Sequence, residues 1–88
     1  MATITRVIAA DPTSTALLLA AHTGVLPWRT PARYSLRFDL AGRPALLTLS
    51  YAGTATHASL TLPSRTAPSG VAFLDSLADE AEARADAA

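Results

Sequence analysis

The chain has 88 residues, 50% of them apolar, and a formal net charge of zero from seven Arg and seven acidic residues. One domain of this length buries only roughly 60 to 65 per cent of its unfolded surface, which leaves little spare stability and makes a roomy internal cavity costly. The lack of Cys removes disulfides, thiolate zinc sites and a cysteine nucleophile together. The longest uncharged apolar run, ALLLAA, is far short of the roughly 20 residues of a membrane-spanning helix.

Arg6 and Asp11 interrupt the apolar start, so no secretory leader is expected and the cytoplasm is the expected location. All basic residues are Arg, with no Lys, Asn or Gln, a usage that fits a GC-rich bacterial genome. Residues 1 to 66 carry six Arg against Asp11 and Asp39, while 67 to 88 carry Arg84 against Asp75, Asp79, Glu80, Glu82 and Asp86. An acidic C-terminal helix is expected to dock on a basic body. The arginines are scattered without interleaved aromatics, so no nucleic-acid partner is expected.

Thr3 to Ala9 reads as a strand on β-branched content, ended by the break at Ala10 to Pro12. Asp11 is a good N-cap, Pro12 fits the first turn of a helix that runs to about His22, and Gly24 is a natural stop. Gly24 to Pro31 reads as an irregular connection whose apolar residues want burial, with Trp28 as its anchor. A second strand begins at Ala32. In it Tyr34, Leu36, Phe38 and Leu40 alternate with Ser35, Arg37 and Asp39, giving one buried and one wet face.

Leu47, Leu49 and Tyr51 alternate with Leu46, Thr48 and Ser50. A four-residue loop at 41 to 44 would set Phe38 opposite Leu47 and Leu36 opposite Leu49. Gly53 and Thr54 suit a type II′ turn, after which Ala58, Leu60 and Leu62 continue the apolar face while His57 points away from it. A helix starts at Thr66 to Pro68, and Val71, Leu74, Leu77, Ala78, Ala81 and Ala85 form its apolar stripe with Phe73 beside it. Its acidic last turns oppose the helix dipole and should fray unless docked. The expected class is α+β: a β-α-β-β-β-α order whose antiparallel sheet packs on the long C-terminal helix.

This order is similar to the helix-grip superfamily (SRPBCC), which includes polyketide cyclases and dehydrases and START-like lipid binders. The segments that carry the resemblance are TITRVIAADPTSTALLLA, GVLPW and FLDSLADEAEAR, at the opening strand and first helix, the connection, and the gripping helix. Family members are longer, with further strands between the first helix and the strand beginning at Ala32. The resemblance therefore implies a shortened single helix-grip-like domain over residues 1 to 88, with a hydrophobic ligand held between sheet and helix.

Direct signs of chemistry are sparse. His57 has no second ligand-type residue at metal spacing, and His22 closes a helix where a protonated imidazole suits the dipole. No GxSxG elbow frames a serine, no carboxylate pair is poised for acid and base work, and no cofactor or metal is implied. The aromatic set is more suggestive. Trp28, Tyr34, Tyr51 and Phe73 could line a cleft for a flat apolar ligand, with Arg37 or a tyrosine hydroxyl orienting it. Three readings stay open: a lipid-binding or polyketide-binding module, a cyclase or dehydrase enzyme, and a cavity-less homodimer that covers the bare sheet region.

Overall fold

The computed structural model describes residues 1–31 and 33–87; Ala32, the expected start of the second strand, lies outside the described residues. Strand β1 (Ala2–Ile8) leads into helix α1 (Pro12–Thr23). Strands β2 (Trp28–Arg29), β3 (Arg33–Leu40), β4 (Arg43–Ala52) and β5 (Ala55–Leu62) follow, then a 3-10 turn at Ser64–Thr66 and helix α2 (Ala67–Ala87). The strands form one antiparallel sheet in the order β1-β5-β4-β3-β2. The fold is α+β in the expected element order, with the short edge strand β2 added.

The start and stop of α1 are set by local chemistry. Asp11 has extended backbone and its Oδ2 accepts the Ser14 N–H at 3.0 Å, while Gly24 adopts φ 73° and sends its N–H to the Ala20 carbonyl at 2.8 Å. The Asp11 carboxyl is held below its ordinary pKa mainly by Ser14, through its side chain and then its backbone N–H, as expected for an N-cap at the positive end of a helix.

Both hairpins have two-residue loops. Ala52 pairs with Ala55 around Gly53, at φ 65°, as a type II′ turn requires. Leu40 pairs with Arg43 around Ala41 and Gly42, whose φ values of 53° and 77° are both positive, the pattern of a type I′ turn. The expected four-residue loop is therefore corrected: Phe38 faces Ala45, Leu36 faces Leu47 and Tyr34 faces Leu49. The shift is by two residues, so the same apolar faces still meet. Pro44 can join β4 because the pair beside a two-residue turn is hydrogen-bonded and the next, Asp39 with Pro44, is not. Its missing N–H would point toward β5, whose ladder with β4 starts only at Leu46 and Thr61.

Both helices cover one sheet face. Leu47, Leu49, Leu60, Leu62, Leu74, Leu77, Leu19 and Ile8 are almost wholly buried there, each contributing roughly 1.5–3 kcal/mol of burial. On α2 the buried stripe is Gly70, Leu74, Leu77, Ala78 and Ala81. This corrects the expected stripe at both ends, since Val71 and Ala85 are exposed. Gly70 takes the first position because the helix crosses the sheet closely there: a Cβ would lie 2.9 Å from Leu62 Cδ1 and 3.0 Å from Ile4 Cδ1. The buried hydroxyls all donate to backbone carbonyls, Thr15 to Asp11 and Thr66 to Pro63 within a turn, and Thr56 across the fold to Ala10 at 2.7 Å.

The acidic half of α2 does dock on the basic body. Arg6 pairs with Asp75 and reaches Asp79, Glu82 accepts the Ala9 N–H at 2.9 Å, and Glu80 bonds His22 at 2.6 Å. These contacts offset the unfavourable placement of carboxylates toward the negative end of the helix.

Two substitutions test this arrangement. Leu49→Asp puts an unpaired carboxylate at a fully buried site and should abolish the cooperative thermal transition, since the cost of several kcal/mol approaches a total stability of about 5–15 kcal/mol. Ala41→Asn should raise the denaturation midpoint by about 0.5–1 kcal/mol in stability, because asparagine tolerates the left-handed backbone that alanine resists; a lower midpoint would show that the turn lies elsewhere.

Candidate functional site

The five aromatic and basic residues singled out in the sequence do not converge. Tyr34 is 8% exposed under α1, its hydroxyl shares a 3.0 Å hydrogen bond with Thr13, and the Arg29 guanidinium lies 5.9 Å from its ring centroid. It is committed to holding α1 on β3. Trp28 pairs with Ser35, which alternates with Tyr34, so it stands on the face that neither helix covers. It is 77% exposed and Leu26 beside it is 82% exposed. The expected anchoring role of Trp28 is thus corrected: a two-residue edge strand on an uncovered face offers nothing to bury against.

Tyr51 stands on the face of Tyr34, two residues along β4 from Leu49, which lies opposite Tyr34, and is 53% exposed. Phe73 on α2 packs against Phe38, ring centroids 5.1 Å apart and tilted by 38°. Phe38 is four residues along β3 from Tyr34, roughly 13 Å away. Arg37 is exposed on the uncovered face, in register with Leu46.

The phenylalanine pair marks a recess of about 890 Å³. Its inner wall is Phe38 and Leu40 of β3, Ala45 of β4, Phe73 of α2, and His22, Thr23 and Val25 at the end of α1. It exists because Gly24 stops α1 and turns the chain away, leaving the last residues of β3 without a helix above them. Its other residues, including Arg37, Asp39, Leu46 and Thr61, belong by strand alternation to the uncovered face. The recess therefore wraps the rim of the β3–β4 end and opens to solvent. It is not a chamber between α2 and the sheet, where Gly70, Leu60, Leu62 and Leu74 fill the space. Of the sequence candidates, Phe73 and Arg37 reach it; Trp28, Tyr34 and Tyr51 do not.

The polar group that the sequence reading passed over is His22. It lines the recess, and its Nε2 lies 2.6 Å from Glu80 Oε2. Glu80 also takes Arg84 Nη2 at 3.4 Å on its other oxygen. The hydrogen bond from His22, with the nearby Arg84 guanidinium, holds the Glu80 carboxyl below its ordinary pKa. Because the ionised carboxylate can only accept, Nε2 carries the shared proton. The two residues are 58 apart in sequence, so only the glutamate's helical position, seven after Phe73 on the same stripe, hinted at their meeting.

Comparison with family models, curated proteins and solved structures returns no match to this chain. Among the described residues no helix is long and apolar enough to cross a membrane, and no three His, Asp or Glu side chains group as metal ligands do.

The lowered Glu80 pKa fixes the sign of one pH effect. A carboxyl whose folded value is depressed stabilises the fold above its unfolded value, about 4.3, and loses that contribution as the pH falls through the folded value. In urea denaturation the wild type should exceed Glu80→Gln near neutral pH, and the gap should close in acid. A gap that stays constant down to about pH 2.5 would show that the charge on Glu80 is not its source.

Proposed function

We propose that this domain binds a small, largely apolar molecule, of lipid or polyketide-like class, in the recess beside Phe38 and Phe73. The observation that carries the reading is the ring pair itself: two phenylalanines in tilted contact, only partly buried, face an open recess of about 890 Å³. Ligand sites are commonly apolar hollows of roughly 300–1,000 Å³ with a few polar groups at fixed places. His22 and Thr23 on one side and Arg37 on the other supply those groups.

The element order is the one that the helix-grip resemblance implies, but the space between α2 and the sheet is filled, so the ligand reading rests on the recess. The short middle of the chain accounts for the openness. With only the two-residue strand β2 between α1 and β3, no wall closes the recess on its outer side. A ligand is then held at the rim, with part of its surface in water, and modest affinity follows.

A second reading has its own observation. Strand β2 is an edge with Leu26 and Trp28 exposed beside it, and such an edge can pair with another copy of the chain. The two readings separate by reporter. Titration with fatty acids, sterols and polycyclic aromatic compounds should shift the NMR methyl signals of Val25, Leu40 and Ala45, leave Trp28 emission unchanged, and weaken at least fivefold in Phe73→Ala, a loss of roughly 1 kcal/mol or more. Absence of any methyl shift, with Trp28 emission that depends on protein concentration, would favour the dimer.

A further inference from the structure

Two side chains of the recess can both hydrogen-bond and move a proton: Asp39 stands on the uncovered face of the sheet, while His22 stands on the side of Phe38 and Phe73 and is given a defined state by its surroundings. His22 stands at the end of α1, with its Nε2 proton directed to Glu80. An imidazole bound in this way leaves Nδ1 as its remaining ring nitrogen, and in the neutral ring that atom is an acceptor. The carboxylate does what an orienting carboxylate does in other proton-transfer sites: it fixes the tautomer and stabilises the imidazolium if the ring takes a second proton. Glu80 is itself held by Arg84 at 3.4 Å. Phe73 and Glu80 are seven residues apart on α2, roughly 10 Å along the helix. His22, which Glu80 holds, lines the same recess as Phe38 and Phe73.

We propose that His22, positioned by Glu80, recognises an acidic hydroxyl, phenolic or enolic, on an aromatic ligand whose rings rest on Phe38 and Phe73. This deepens the binding reading above and rests on it. The ligand O–H donates to Nδ1. When the hydroxyl is sufficiently acidic, the O–H bond breaks, its proton forms an N–H bond at Nδ1, and the electron pair stays on oxygen. The ligand becomes a phenolate or enolate and His22 an imidazolium paired with the Glu80 carboxylate. No oxidant or metal enters this step. Glu80 is a positioning residue, since it acts only through the imidazole.

A naphthol and its methyl ether separate the inference from the reading beneath it, because they share the ring system and differ in the donor. Binding is read from the Val25 and Ala45 methyl signals in wild type, His22→Phe and His22→Gln, with circular dichroism to verify folding; His22 is exposed enough for all three to fold. The naphthol should bind the wild type about three- to tenfold more tightly than the ether, as one hydrogen bond allows. That ratio should fall to near one in His22→Phe, whatever the affinity for the ether itself, and should partly survive in His22→Gln, whose amide oxygen still accepts. With para-nitrophenol as probe, wild type should raise the phenolate absorbance at fixed pH and Glu80→Gln should raise it less. Equal binding of naphthol and ether to wild type, or a preference that persists in His22→Phe, overturns the inference and leaves the binding reading intact. Failure of both probes to bind overturns both.

Discussion

The distance at which α2 meets the sheet governs the rest of the structure. At Gly70 the helix backbone comes so near β1 and β5 that a single added carbon would press on Ile4, Leu60 and Leu62. That approach seals Leu74 and Leu77 against the sheet and leaves no gap along the helix for a ligand. It also sets the rotation of α2, which brings Asp75 and Asp79 over Arg6, Glu82 to the Ala9 N–H and Phe73 to Phe38. A helix standing further off would open a central chamber. It would also forfeit the contacts that a domain of this length needs, because small domains bury a modest share of their surface and have little stability to spare. The hollow is therefore displaced to the rim, where α1 has ended and α2 presents a ring.

Much of the fold was legible in local sequence. The alternation of Tyr34, Leu36, Phe38 and Leu40 defines a half-buried strand, and Asp11, Pro12 and Gly24 bracket α1 through groups that act within one turn. The β3–β4 register was less accessible. A four-residue loop and a two-residue loop differ by two positions, which preserves the facing of every side chain, so hydrophobic pattern cannot choose between them. What decides is the willingness of Ala41 to adopt positive φ, and nothing in its identity announces that. At α2, periodicity alone could not separate Gly70 from Val71 as the first stripe position, since the choice depends on how near the sheet lies.

The site was less legible than the fold because its members meet across long sequence separations. Trp28 reads as a core residue by composition, yet the strand that carries it has two residues and ends the sheet on a face without a helix. Tyr34 reads as a ligand group, yet Thr13 and Arg29 already engage it. His22 reads as a helix-end charge, and its relation to Glu80 appears only when α1 and α2 are placed side by side. Aromatic content proved a weaker guide than the point where a capped helix stops short of covering a strand.

The charge division of the chain, basic to residue 66 and acidic beyond, links stability to chemistry. Exposed ion pairs contribute little individually, commonly 0 to about 1 kcal/mol, and less as salt rises. Their effect here is geometric. Arg6 holds the middle of α2 through two carboxylates one turn apart, and His22 and Arg84 share the next, Glu80. The contact that ties α1 to α2 is thus also the one that sets the tautomer of the only imidazole in the recess among the described residues. A single carboxylate cannot be freed for one task without altering the other, so on the binding reading proposed above a ligand at His22 would be coupled through Glu80 to the packing of the two helices. Because that coupling is carried by half-exposed charges and not by the leucine core, it can shift with pH and ionic strength while the sheet stays intact.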